Sequence, residues 1–207
     1  LAENLSARAV EFTNNLQLLT GRADAQIEVE ASIQRLFFYA AWSDKFDGSA
    51  RSVPLKAIAL VMNEAIGNCG VICDDRYPLL GFISAMAPLF ATGNRSIIIP
   101  SEPFSPIVTD FYQVLDTSDV PPGTVNILTG KHNDLALELA SHMDIESVWS
   151  FSTSDVSRDI EKASVSNLKR TWVSNGEKRD WYNEESQGIQ FLTNSIENKT
   201  IWIPYGE

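Results

Sequence analysis

The sequence predicts an α/β protein built on a doubly wound parallel sheet, and three observations carry that prediction. Five short apolar runs, Gly70–Cys73, Ser96–Ile99, Val125–Leu128, Val148–Phe151 and Leu168–Val173, have the length and continuity of strands buried on both faces. Four helix-patterned segments, Pro78–Ala91, Pro106–Leu115, Asn133–Ser141 and Asp155–Ala163, alternate strictly with them, which implies right-handed crossovers. The length of 207 residues suits one sizeable core and would cramp two.

Ahead of this region the pattern is helical. Leu5, Ala9, Phe12, Leu16 and Leu19 fall at helical spacing, and Gly21 stands where a helix would stop. A second helix is predicted over Ala25–Phe46, its apolar face made of Ile27, Val29, Ile33, Leu36, Phe37, Ala40 and Ala41, with Gly48 closing it. The two form a helical hairpin over 1–50. Residues 51–68 read as an extended arm with strand character at Ala57–Met62, and 69–178 as the alternating core. In 179–207 a helix carrying Ile189, Leu192 and Ile196 precedes a terminal strand, Thr200–Tyr205. Trp202, Ile203 and Tyr205 are costly to expose, so this strand is expected to dock on a sheet edge with Trp202 and Ile203 buried, main-chain donation stopping at Pro204. The whole is read as a single domain, 1–207.

Charge and composition narrow the function. A net charge of −11 repels phosphate backbones, and Lys169-Arg170 is too small a basic cluster to offset it, which argues against nucleic acid. The longest apolar stretch, Leu79–Ala91, is interrupted by Gly81, Ser84 and Pro88 and reads as a buried helix, so no membrane partner is expected. Two histidines and two cysteines do not assemble a familiar metal site. Cys69 and Cys73 read as unbridged core residues, in keeping with a cytoplasmic setting. Leu1 falls within a helical pattern with no initiator Met or leader, so the chain is expected to be part of something longer.

One stretch is more specific than any of this. Gly70-Val71-Ile72-Cys73-Asp74-Asp75-Arg76-Tyr77-Pro78-Leu79-Leu80 resembles the G-V-I-x-P-W-N-F-P-L-L segment of aldehyde dehydrogenases. Ala87-Pro88-Leu89-Phe90-Ala91-Thr92-Gly93-Asn94 resembles their A-P-A-L-A-A-G-N, and Pro100-Ser101-Glu102 the end of V-V-x-K-P-S-E. Pro121 to Gly130 nearly copies P-P-G-V-V-N-V-V-T-G, and Leu168-Lys169-Arg170 with Gly176 and Lys178 follows L-K-R-V-T-L-E-L-G-G-K. The resemblance implies a Rossmann-like fold, and within the family it is nearest the degenerate C-terminal region of the family 16 enzymes, whose end Arg179-Asp180-Trp181 and Ile201 to Glu207 resemble.

Against that resemblance the chemistry is depleted. The Asn that donates to the oxyanion in the family corresponds to Arg76, and the general-base Glu to Ser174. No cysteine follows Cys73, so the thiolate nucleophile is unfilled. The Lys that bonds the adenosine ribose corresponds to Ile99, leaving Glu102 alone. The pyrophosphate turn F-T-G-S-T-x-x-G reads Phe151 to Ser157, with Ser152 and Ser157 in place of its glycines, where a Cβ can block positive φ or close approach.

The expectation is therefore a non-catalytic pseudoenzyme domain that binds no cofactor and works structurally. Its expected partner is an aldehyde dehydrogenase catalytic domain of the same or a sister chain, within a homo-oligomer of a longer protein that is itself an NAD-dependent enzyme. Two rivals stand beside it: the NAD-binding half of an active dehydrogenase completed by another segment, and a nucleotide or anion sensor using Glu102 and the serine turn. Blander readings accompany the candidates: helix capping for Ser152–Ser154, a turn role for His142, a solvated or paired Glu102, and a minor local ion pair among Asp74, Asp75 and Arg76.

Overall fold

Leu5, Phe12 and Leu16 are fully buried, and the helical stripe they form starts the fold. The computed structural model describes residues 1–205 and divides that stripe at Arg8 into α1 (Ala2–Ala7) and α2 (Ala9–Thr20). Gly21 ends α2 in the left-handed region at φ 70°, its N–H returning to the Gln17 carbonyl. Then come α3 (Ala25–Trp42), β1 (Ser49–Ser52) and β2 (Ala57–Ala65). The alternating region runs β3 (Asn68–Ile72), α4 (Pro78–Ala91), β4 (Arg95–Ile99), α5 (Pro106–Thr109), α6 (Phe111–Asp116), β5 (Val125–Ile127), α7 (His132–Ser141), β6 (Ser147–Ser150), α8 (Ser154–Ser164) and β7 (Arg170–Val173). It closes with α9 (Ile189–Asn194) and β8 (Ile196–Pro204).

Strands β5-β4-β3-β6-β7, in that order, make a five-stranded sheet in which every pairing is parallel. The chain winds outward from β3 to β5, then returns to the other side of β3, so the order reverses between β3 and β6. In open α/β sheets that reversal opens a crevice at the carboxyl ends of the strands. The pleat sorts the core into two layers. Cys69, Val71, Ile98 and Trp149 join the large cluster with α4, whereas Ile72, Ile99 and Val148 meet Leu139 of α7 and Val156 and Ile160 of α8. Gly70 allows α7 this close, since a Cβ there would lie 2.9 Å from Leu139 Cδ1.

Helix α3 departs from the expectation. It stops at Trp42, short of Phe46, where Ser43 Oγ turns back to the Ala40 carbonyl. Its buried face is also rotated. Ile27, Phe37, Ala40 and Ala41 are exposed, while Glu28, Ser32 and Arg35 are buried. The reason is α4: Glu28 Oε1 accepts from the N–H groups of Leu79 and Leu80 at 2.9 and 3.1 Å, and Arg35 donates to Ser84 Oγ. Arg35 also donates to the carbonyls of Ser186 and Trp181, so the last part of the chain is fastened to the same helix. Burial pushes the Arg35 guanidinium down to about 10.

The expected arm is a hairpin, and the terminal strand completes it. β1 and β8 flank β2 in a three-stranded antiparallel sheet, with Ala57 opposite Pro204 and Ala65 opposite Ile196. The strand begins at Ile196, a residue expected in the preceding helix, because α9 ends where the Ser195 carbonyl is taken by Asn94 Nδ2 at 2.7 Å. Its docking is a backbone matter. Trp202 and Ile203 are 53% and 46% exposed, against the expected burial, because β8 lies at the sheet's edge and no second layer among the described residues covers them. Main-chain donation also passes Pro204, with Tyr205 N–H bonded to the Lys56 carbonyl at 2.9 Å. Gly206 and Glu207 of the expected terminal segment lie outside the described residues. Two smaller corrections concern Pro106–Leu115, divided at Asp110 into α5 and α6, and β7, which starts at Arg170 because Leu168 takes a left-handed φ of 55°.

Removing the Glu28 acceptor tests the grip of α3 on α4. Glu28→Ala strands two helix-start N–H groups and should lower unfolding free energy by about 3 kcal/mol, whereas Glu28→Gln, which keeps one acceptor, should cost about 1–2 kcal/mol. Urea titration followed by circular dichroism measures both, and a loss below about 1 kcal/mol for the alanine variant would remove the clamp from the account.

Candidate functional site

The crevice at the reversal point is where the sequence candidates converge, and the chain's own side chains bond across it. At the exit of β3, Asp74 is 8% exposed and accepts four hydrogen bonds from Arg76: from its backbone N–H at 2.9 Å, twice from Nε at 3.2 and 3.1 Å, and from Nη2 at 2.5 Å. Trp181 Nε1 donates to the same carboxylate at 3.1 Å, and Arg76 Nη2 reaches the Arg179 carbonyl at 3.0 Å. Asp75 stands outside this ion pair, contrary to the expected trio, because its Oδ1 is taken by the Glu102 N–H at 2.9 Å.

At the end of β4, Ile99 is fully buried in the apolar layer with Val156 and Ile160. Glu102 is exposed, yet its carboxylate is bonded. Its Oε2 accepts from the His132 N–H at 2.9 Å, placing a carboxylate on the first residue of α7, where the helix dipole favours it. The His132 side chain, 5% exposed, spans the crevice from Pro100 O, 2.7 Å from Nε2, to Ser152 Oγ, 3.2 Å from Nδ1. A carbonyl only accepts, so Nε2 carries the proton; in the neutral ring Nδ1 is then the acceptor and the Ser152 hydroxyl donates to it.

At the end of β6, Thr153 caps α8, its Oγ1 accepting from Val156 N–H at 3.4 Å, so the serine-rich turn caps through its threonine. Ser157 is helical and fully buried, and its hydroxyl meets no partner among the described residues. Among the described residues the non-glycine positions with positive φ are Asp119, Leu168 and Asn175, so neither Ser152 nor Ser157 holds the left-handed backbone that a glycine would be needed for. That expected obstacle is absent, and only close approach remains. The chain itself makes that approach: Gly176, at φ 79°, backs onto the start of α8 so closely that a Cβ would lie 2.9 Å from Ser154 N. Ser174 continues the ladder with its N–H on Ser150 O at 2.8 Å, and its hydroxyl donates to Ser152 O at 3.4 Å.

Two functional features lie outside the sequence candidates. His132 belongs to no motif, although it lies two residues past Gly130, the end of the best-matching string, and opens the helix beside the crevice. Arg179 sits in a charged stretch that reads as surface. Its guanidinium stacks over Phe151, Trp172, Trp181 and Phe191 at 5.4–5.8 Å from the ring centres, beside a polar cavity of about 430 Å³ that also meets Ser174 and Lys178. Burial lowers its pKa. The recurrence of aromatic residues on either side of that arginine is the signal the sequence holds for it.

Elsewhere the geometry is plain. Cys69 and Cys73 are both free and buried; burial pushes the Cys69 thiol up to about 12 and Cys73 also upward. His142 is an exposed turn residue whose Nδ1 accepts from the Asp144 N–H at 3.1 Å. Among the described residues no cluster of three or more His, Cys, Asp or Glu could hold a metal ion, and no helix is long and apolar enough to cross a membrane.

Comparison with known proteins places this geometry. The profile described as "Aldehyde dehydrogenase family" matches residues 1–182. An aldehyde dehydrogenase of Alternaria alternata is 27% identical over 183 residues, covering 87% of this chain and 35% of the relative. Retinal dehydrogenase 2 of Mus musculus is 32% identical over 153 residues, covering 73% of this chain and 30% of the relative. Among solved structures, PnpE from Pseudomonas sp. WBC-3 superposes with a TM-score of 0.80 at 26% identity, covering 83% of this chain and 36% of that one; it has also been solved in complex with nicotinamide adenine dinucleotide. The chain thus spans about a third of the length of the curated relatives it matches.

The raised thiols generate a direct test. In the folded protein at pH 8, neither Cys69 nor Cys73 should react with dithionitrobenzoate over an hour, and both should react after guanidinium unfolding. Rapid native reaction of either would show that β3 opens far more readily than its burial implies.

Proposed function

The chain belongs to the aldehyde dehydrogenase family, and we propose that within it this is a domain without dehydrogenase chemistry, whose work is structural. The observation that carries the reading is the crevice at the ends of β3, β4 and β6, where the polar groups at the family's functional positions are each bonded to another residue of this chain. Glu102 caps α7, Ser152 bonds His132, and Arg76 is held by Asp74. Ile99 offers no polar atom where the resemblance puts the ribose-binding Lys. These residues do not fit a dinucleotide. Loss of one charge-assisted hydrogen bond costs ~1.5–3 kcal/mol, or about tenfold to a hundredfold in affinity. Displacing Glu102 and Ser152 from their partners adds to that. Affinity then falls from micromolar to roughly millimolar or weaker.

For aldehyde oxidation the roles are likewise unfilled. Arg76 and Ser174 occupy the oxyanion-donor and base positions of the resemblance, and Cys69 and Cys73 are buried protonated thiols at or beside β3. The structural role rests on the antiparallel sheet. One face exposes Ile58, Met62, Ile201 and Ile203, an apolar surface that suits a partner, while Trp202 projects from the other face and Tyr205 follows the strand's end. The partner we propose is a dehydrogenase domain of the same or a sister chain, in an oligomer of a longer protein akin to the family 16 enzymes. A cytoplasmic setting accords with two unpaired thiols.

The second reading, an NAD-binding half completed by another segment, draws on the likeness to PnpE, which has been solved with the dinucleotide. Calorimetry separates the two. NAD should bind in the millimolar range or not at all, and NAD with short aliphatic or aromatic aldehydes should yield no NADH above a heat-killed control. A micromolar dissociation constant would favour the second reading. The triple change Ile99→Lys, Ser152→Gly and Ser157→Gly should strengthen binding about tenfold or more; no gain would mean that other residues close the crevice.

The docking surface has its own test. Trp202→Ser with Ile203→Asn removes exposed apolar area and should leave the stability of the isolated chain within about 0.5 kcal/mol, yet reduce the oligomer mass of the longer protein by light scattering. Unchanged mass would remove this sheet as the contact.

A further inference from the structure

The Ser152–His132 pair lies in the vacated crevice and has the arrangement of an activated hydroxyl, not only of a tether. Its base is pre-set: Nε2 is fixed on Pro100 O at 2.7 Å, which leaves Nδ1 to accept the Ser152 hydroxyl at 3.2 Å. A nucleophile bonded to a base that a third group orients is the general form of covalent catalysis. Position adds a second, independent observation. Ser152 sits in the short turn between β6 and α8, at the carboxyl edge of a parallel sheet, with a helix starting two residues later. A strand-to-helix turn of this kind presents a serine at the top of an α/β sheet, where the following N–H groups can receive an oxyanion. The Val156 and Ser157 N–H groups are held by Thr153, so an oxyanion would draw on the N–H groups that precede them. While His132 is buried, Ser152 is partly exposed and lines an open cavity of about 150 Å³ with Thr153, Gly176, Arg76 and Lys178.

We propose that Ser152 is an acyl-accepting nucleophile with His132 as its base, acting on small neutral esters. The Ser152 oxygen adds to the ester carbonyl carbon while its proton passes to His132 Nδ1. Collapse of the tetrahedral adduct breaks the bond to the leaving alkoxide or phenoxide, which takes that proton and departs as the alcohol. Water then adds to the acyl-serine with His132 again accepting the proton. The carboxylic acid leaves, and the proton returns to Ser152. No electron changes hands, so the activity is independent of the dehydrogenase reading. The cavity's volume suits a short acyl chain, and the leaving group would extend to solvent. Because Ser152 lacks a left-handed, strained backbone, turnover is slow beside that of dedicated hydrolases.

The test treats this chain with a fluorophosphonate probe, with the modified residue located by peptide mass spectrometry, and follows p-nitrophenyl acetate hydrolysis in parallel. In the folded protein the adduct should map to Ser152, form faster than on neighbouring Ser154, and vanish in urea. Ser152→Ala should abolish it. His132→Gln keeps an amide for Pro100 O but removes the base, and should slow both labelling and hydrolysis at least about 100-fold. If that variant does not fold, the native-against-urea comparison in the unsubstituted chain decides alone. Labelling of Ser152 no faster than of Ser154, or undiminished in a folded His132→Gln, overturns the proposal.

Discussion

Helix α4 enters the core at Pro78 with its first amide groups lacking carbonyls of their own, and Glu28 is the group that meets them. Two turns along the same face of α3, Arg35 reaches Ser84 on α4 and the Trp181 and Ser186 carbonyls. One buried face thus carries an anion and a cation, each turned toward α4. Arg22 completes the first site, bonding Glu28 Oε2 and the Arg76 carbonyl while lying 4.4 Å from the Tyr77 ring centre. Burial pushes the Glu28 carboxyl upward, opposed chiefly by the Leu80 N–H and the Arg22 charge. The outcome is a fixed entry angle for α4, and through it a fixed turn at Asp74–Tyr77.

The bonding across the crevice depends on that turn. With Asp74 held at the end of β3, its carboxylate can collect both Arg76 and the indole of Trp181, and Trp181 draws the last part of the chain across the sheet. Phe151 and Phe191 pack against it at ring separations of 5.1 and 6.4 Å, Trp172 packs on those two at 5.4 and 4.8 Å, and Arg179 lies over the cluster. On the opposite flank, Glu102 and His132 bind the starts and ends of three elements together. The crevice at the reversal point is therefore crossed by bonds that contribute to the chain's own stability.

The antiparallel sheet obeys a different balance. Its backbone is satisfied along β2 on both sides, yet β8 gains little burial, and its aromatic and branched side chains stay in contact with water. A strand held by main-chain bonds with exposed apolar sides suits a surface that meets another layer, and it carries the hazard of an open edge if it does not.

Much of this could be read from the residues in order. Helix α4 has the bounds that its apolar run from Pro78 to Ala91 predicts, and β3, β4, β5 and β6 fall on expected apolar runs, because a strand covered on both faces needs continuous apolar sequence; β7, expected to be buried, is an edge strand with Arg170 and Thr171 exposed. The motif strings located the crevice and most of the side chains at it. The sequence did not reveal which of those side chains would bond. Glu102 to His132 N–H, His132 to Ser152, Asp75 to Glu102 N–H and Arg35 to Trp181 O all join residues far apart in the chain. Periodicity reports only which face an apolar residue prefers. It misplaced the buried face of α3, because a charged residue counts as surface until a distant partner is known, and it buried Trp202, because apolar character says nothing about whether a second layer is there to cover it. Local pattern determined the elements and their order; the pairing of polar groups across that order was decided only by the packed structure, where burial makes an unpaired charge too costly to keep.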